Sequence, residues 1–197
     1  NGVVIGTTIN KYCWLIVREL PPFFDYKYRI VWSIIELANS ISEIKHPSVR
    51  ACLSEFNTFE GLEVHHASDL PARSGLGSSS SFTVGLLNAL YTMKGIKLAK
   101  HILASQAIHI EQDILKESVG SQDQTFAAYG GFNYITFSKD GIEVRPVNIS
   151  KSKLSELQSS LMLFFTGIAR TASEVASEQI KEMSNKITQM KDLCALT

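Results

Sequence analysis

The stretch Pro71-Ala72-Arg73-Ser74-Gly75-Leu76-Gly77-Ser78-Ser79-Ser80-Ser81 concentrates more chemistry than any other in this chain. Two glycines let the backbone turn tightly and expose its N–H groups. A helix pattern begins at once, from about Ser79 to Met93, so the unpaired N–H groups and positive dipole end of that helix open onto the same turn. Four serines add hydroxyls and Arg73 adds a positive charge. Together these residues favour a polyphosphate. The alternative is a solvated Gly/Ser loop whose serine caps the helix. The stretch lacks the lysine of G-x-x-x-x-G-K-[ST], the third glycine of G-x-G-x-x-G and the nucleophile pattern G-x-S-x-G.

A second feature is an acid in an oily place. On a helix expected from Leu98 to Lys116, Leu103, Ala104, Ala107, Ile108, Ile110, Ile114 and Leu115 fall in one apolar wedge at about 100° per residue. Glu111 lies near the middle of it. A lone buried carboxylate is costly, so Glu111 needs a cation, an arginine or a proton. A salt bridge to Arg73 or Arg170 is one answer. Magnesium is the other, because Mg²⁺ takes one or two protein oxygens and leaves its remaining positions to water and phosphates. Glu111 with one serine hydroxyl fits that habit. Asp123, expected in the loop after Gly120, is either a solvated turn residue or a base for the attacking hydroxyl in phosphoryl transfer.

The elements that must position these groups are read from pattern. Residues 3–18 read as one long or two short strands, 27–35 as a strand or a helix, and 61–68 as a strand. A short helix is expected from His46 to about Phe56, a hairpin over 131–147 turning at Lys139-Asp140-Gly141, and a buried strand over 160–166. A capping box at Thr171-Ala172-Ser173-Glu174 opens a last helix. Mixed strands, helices and hairpins point to an α+β fold rather than a doubly wound parallel sheet. His65 and His66 sit side by side on a strand, so their side chains face opposite ways and make poor joint ligands. Trp14, Trp32 and the Phe23-Phe24 pair read as core or interface.

The 197 residues carry 19 basic and 19 acidic side chains, so no polybasic nucleic-acid surface is expected. No apolar run is long enough to span a bilayer, and Cys13, Cys52 and Cys194 lack the spacing of a disulfide or zinc framework, so a reducing cytoplasm is expected.

Pro71 to Ser81 resembles the P-x-x-x-G-L-G-S-S-[AS]-[AS] motif of the GHMP kinases. The resemblance implies that the loop holds ATP through Pro71, Arg73, Ser74, Gly75, Leu76, Gly77, Ser78, Ser79 and Ser80, that Ser79 and Glu111 bind Mg²⁺, and that Asp123 is the base. Ile110-Glu111-Gln112, Val119 to Gln124, Tyr129-Gly130-Gly131-Phe132 and Phe165 to Arg170 look like the D-glycero-D-manno-heptose 7-phosphate kinase branch. That branch phosphorylates the anomeric hydroxyl of a sugar phosphate, and Arg170 would contact the substrate phosphate or serve as a structural arginine. The implied fold is a ribosomal-protein-S5-like N-terminal domain over residues 1–155, followed by the start of a ferredoxin-like C-terminal domain over 156–197. The family's first and third motifs are not in these residues, so the resemblance implies a fragment. A galactokinase- or fucokinase-like sugar kinase and a non-catalytic remnant are the competing readings.

Overall fold

The computed structural model describes residues 2–56, 59–72 and 74–164, and beyond these only 177, 180–182, 186–189 and 191. Arg73, Arg170, the Thr171 capping box and Cys194 lie outside the described residues.

The β-branched and aromatic N-terminal run forms two strands, β1 (Gly2–Thr7) and β2 (Cys13–Glu19). They belong to different sheets. A hairpin follows, β3 (Tyr28–Val31) and β4 (Ile35–Ala38). The 27–35 region is therefore strand, and the turn is closed by the N–H of Trp32 donating to the carbonyl of Ile34 at 2.9 Å. Next come α1 (Pro47–Phe56), β5 (Leu62–Ser68), α2 (Ser78–Met93) and α3 (Lys100–Ile108). The chain continues through a π turn (His109–Ile114) into α4 (Gln122–Tyr129), then the hairpin β6 (Phe132–Ser138) and β7 (Gly141–Pro146), then α5 (Lys151–Ser159).

One sheet has the order β1-β6-β7 and is antiparallel throughout. The other has the order β2-β5-β3-β4, with β3 and β5 parallel and the remaining pairs antiparallel. This is a mixed α/β arrangement, as the alternation of strands and helices predicts. The buried core joins Ile30, Leu62 and Val64 of the second sheet to Leu53 of α1 and to Phe82, Leu86, Leu87 and Leu90 of α2. Helix α2 packs on β2 and contacts α1, α3 and α4. A helix so fully buried holds its N-terminus, and the loop in front of it, in a fixed place.

Three expectations give way here. Asp123 is not in a loop but in the first turn of α4. Of the strand expected over 160–166, the described residues 161–164 have no regular structure, and they are exposed, Met162 by 81% and Phe164 by 74%. No described strand offers them a partner, and an apolar run alone does not make a sheet. Of core or interface, exposures of 57% and 87% exclude the core for Trp14 and Phe23.

Candidate active site

The glycine-serine turn is built as its residue types require. Gly75 and Gly77 have φ of 74° and 68°, a left-handed conformation that side-chain-bearing residues rarely adopt. Gly77 is the N-cap of α2, and no side chain caps the helix. The serine-cap reading therefore fails. The N–H of Ser81 reaches the carbonyl of Gly77 at 2.9 Å and closes the first helical bond. The N–H groups ahead of it have no acceptor within the helix and suit an anion.

That helix end opens into a cleft of about 320 Å³. Gly75, Leu76, Gly77 and Ser78 line one side, Asp123 and Phe126 of α4 another, and Thr7 at the end of β1 with Lys11 and Tyr12 of the β1–β2 connection a third. The walls are brought together by close packing. A Cβ placed on Gly6 of β1 would lie 2.5 Å from the tip of the Phe126 ring, so any larger residue there would displace that ring of α4. A Cβ on Gly77 would lie 3.4 Å from Cβ, Cγ and Oδ2 of Asp123. The Asp123 carboxylate thus sits against the turn itself. It reaches solvent at the rim, but the cleft walls strip part of its hydration and push its carboxyl above the usual aspartate value.

Glu111 is the buried acid that its place on the helix demands, 1% exposed. Its helix departs from α geometry at this residue. The N–H of Leu115 donates to the carbonyl of Ile110 at 2.9 Å, an i to i+5 bond, and Lys116 with φ of 56° ends the π turn. Ser80 Oγ donates to Glu111 Oε2 at 2.9 Å, and Gln124 Nε2 donates to the same oxygen. Oε1 is buried and has no partner. None of the described arginines, lysines or histidines pairs with this carboxylate. Its negative charge is felt nearby. Burial and then Glu111 push the Cys52 thiol of α1 up to about 12, and the same two causes raise the Glu117 carboxyl. A buried acceptor without a donor costs about 1–3 kcal/mol, and more when charged. The orphaned oxygen therefore fits a cation that binds from outside the chain. Among the described residues no cluster of three or more His, Cys, Asp or Glu side chains would hold a metal by itself.

The expected residues divide as follows. Gly75, Leu76, Gly77, Ser78 and Asp123 share the cleft. Pro71 and Ser79 are exposed. Ser74 is half-buried, and its hydroxyl is a further unpartnered polar atom. Ser80 turns inward to Glu111 instead of into the cleft. The sequence reading missed Lys11, which is far from the motif in sequence, and Gln124, which is adjacent to Asp123 but points inward. It also missed Gln112, whose amide donates to the Val119 carbonyl at 2.9 Å and to Ser121 Oγ at 3.3 Å, tying the approach to α4 to the π turn.

Residues 39–131 match the GHMP kinases N terminal domain. A D-glycero-alpha-D-manno-heptose 7-phosphate kinase of Campylobacter jejuni is 36% identical over 193 residues, covering 89% of this chain and 55% of that protein. An L-fucokinase/L-fucose-1-P guanylyltransferase of Bacteroides fragilis is 27% identical over 91% of this chain and 20% of its own length. The crystal structure of a D-glycero-D-manno-heptose 1-phosphate kinase from Bacteriodes thetaiotaomicron superposes with a TM-score of 0.74 at 25% identity, covering 92% of this chain and 64% of that one. The chain therefore spans about half the length of the Campylobacter relative. It belongs to the GHMP kinases, and residues 39–131 are the part of it that matches their N-terminal domain.

Proposed function

We propose that this chain supplies the phosphate-binding and proton-accepting part of an ATP-dependent kinase that phosphorylates a sugar-phosphate hydroxyl, the anomeric hydroxyl of D-glycero-D-manno-heptose 7-phosphate. The observation that carries the proposal is the placement of Asp123 against Gly77, at the uncapped N-terminus of α2 and within one cleft. The heptose assignment is supported by the Campylobacter relative, which is named as a heptose 7-phosphate kinase. On this reading residues 1–155 are the ATP-binding domain and 156–197 the start of a second one, in a soluble cytoplasmic protein. Among the described residues no helix is long and apolar enough to cross a membrane.

The chemistry follows from the groups present. The γ-phosphate lies at the exposed N–H groups of the Gly75–Ser78 turn, where the helix dipole favours negative charge. The acceptor hydroxyl lies beside Asp123. Its oxygen forms the new P–O bond as the bond from the γ-phosphorus to the bridging oxygen breaks, and ADP leaves. Asp123 takes the hydroxyl proton. A carboxyl raised above its usual value is a better proton acceptor. Magnesium, when bound, supplies charge neutralisation on the phosphates. Glu111 and Ser79 are the residues that would hold it. Glu111 has a free buried oxygen for the purpose, and Ser79 has an exposed hydroxyl on the first turn of α2.

The test is Asp123→Asn. Turnover with a heptose 7-phosphate should fall about 10²–10⁴-fold, while nucleotide affinity stays within about threefold. Undiminished turnover rejects Asp123 as the base. A panel of acceptors including galactose, fucose and mevalonate, assayed for ADP release, checks the substrate separately.

A further inference from the structure

Gln124 sits where a structural side chain would be expected to use both of its polar atoms, and it uses one. It is fully buried, at 0% exposure. Its Nε2 donates to Glu111 Oε2, while its own Oε1 is buried with no partner. The oxygen it grips is already taken by Ser80 Oγ at 2.9 Å. A carboxylate has room for about four donors spread over two oxygens. Here both donors crowd onto Oε2, and Oε1 receives none. Two acceptor oxygens, one from Glu111 and one from Gln124, are thus left bare in the interior.

We propose that Gln124 is a positioning residue: with Ser80 it pins Glu111 through Oε2 and so reserves Oε1 for the divalent cation that accompanies the nucleotide. This inference rests on the kinase reading given above. The local geometry explains why the device lies next to Asp123. Adjacent residues on a helix point about 100° apart. Asp123 and Gln124 share the first turn of α4, and from it Asp123 faces the cleft while Gln124 reaches back under α2 to the π turn. One helical turn thereby fixes the distance between the proton acceptor and the cation-seeking acid. Any shift of α4 moves both.

The experiment measures the affinity for a non-hydrolysable ATP analogue, by calorimetry, with Mn²⁺ and with EDTA, on the unsubstituted protein and on Gln124→Met, which keeps the volume and removes the donor. Loss of the amide should weaken Mn²⁺-dependent affinity at least about tenfold, about 1.4 kcal/mol, and leave the EDTA affinity within about twofold. If Gln124→Met does not fold, Gln124→Asn carries the same expectation, because its amide is withdrawn by one methylene. Unchanged Mn²⁺-dependent affinity overturns the proposal, since the bond would then be structural only. So does an equal loss with Mn²⁺ and with EDTA, which a general loosening of the fold would give. If the unsubstituted protein shows no gain in nucleotide affinity with Mn²⁺, the kinase reading falls and this inference with it.

Discussion

At the scale of single residues, Glu111 and Asp123 are two acids with opposite demands. Glu111 is buried with neutral donors on one oxygen, and no described cation balances the charge it carries when ionised. Removing that charge should help the empty protein and harm the loaded one. Glu111→Gln should stabilise the ligand-free chain, because the amide carbonyl can still accept from Ser80 and Gln124 while no charge is left buried. It should also abolish the increase in melting temperature given by MgATP over ATP in EDTA. Differential scanning fluorimetry reads both, and a destabilised ligand-free variant would contradict the account. Asp123 must be ionised to accept a proton. Its folded value is raised by burial, so the acid limb of kcat/KM should lie above the ordinary 3.8 and activity should increase as pH rises through it. The same shift means that Asp123 favours folding most at low pH, and that contribution is lost as pH rises through the raised value. Asp123→Asn should remove that limb.

At the scale of elements, the turn before α2 makes a sharper prediction because its two glycines differ in one respect. Gly75 and Gly77 both have positive φ, so alanine at either position costs about 1–2 kcal/mol of backbone strain. A methyl on Gly75 would meet nothing within 4 Å, whereas one on Gly77 would touch the Asp123 carboxylate. Gly75→Ala and Gly77→Ala should therefore lose similar stability in urea, and only Gly77→Ala should move the acid limb set by Asp123. Equal effects on that limb would show that the contact is irrelevant. The same elements show what the sequence could and could not convey. The glycine-serine turn was legible because glycine, serine and an apolar helix each carry their conformational preference in their own type. Glu111 was legible because an acid amid leucines and isoleucines breaks a period. Its partners were not, because Ser80 and Gln124 belong to α2 and α4 and no local period links them to Glu111. Asp123 was expected in a loop because Ser121-Gln122-Asp123-Gln124 has turn-like composition. Helix α4 is instead held by tertiary contact, through Phe126 on Gly6 and Gln124 on Glu111. The expected strand at 160–166 erred the other way, since apolar content says nothing about whether a partner strand is at hand.

At the scale of the whole molecule, the site depends on the four-stranded sheet that carries α2, and that sheet has a charged fastening on the face opposite its core. Leu62 and Val64 of β5 point into the core, so Glu63 between them lies on the opposite face of the sheet, where it is nonetheless buried, 3% exposed. Cross-strand register puts Glu63 opposite Arg18 of β2 and Arg29 of β3. Both guanidiniums and His65 donate to its two oxygens, so one carboxylate ties three strands. The His65 hydrogen bond first, then the two arginines, hold the Glu63 carboxyl down to about 2, against an ordinary value of 4.5. A depressed carboxyl contributes stability that is fully present above its unfolded value and is lost as pH falls toward its folded value. Glu63 should therefore stabilise the fold at neutral pH, and this help should fade between about pH 4.5 and 2 as the carboxyl protonates. Glu63→Gln should be less stable than the unsubstituted chain in urea at pH 7, and the gap should close toward pH 2.5. A gap of constant size across that range would mean that Glu63 acts through packing and neutral hydrogen bonds, and that the three strands are not held by charge.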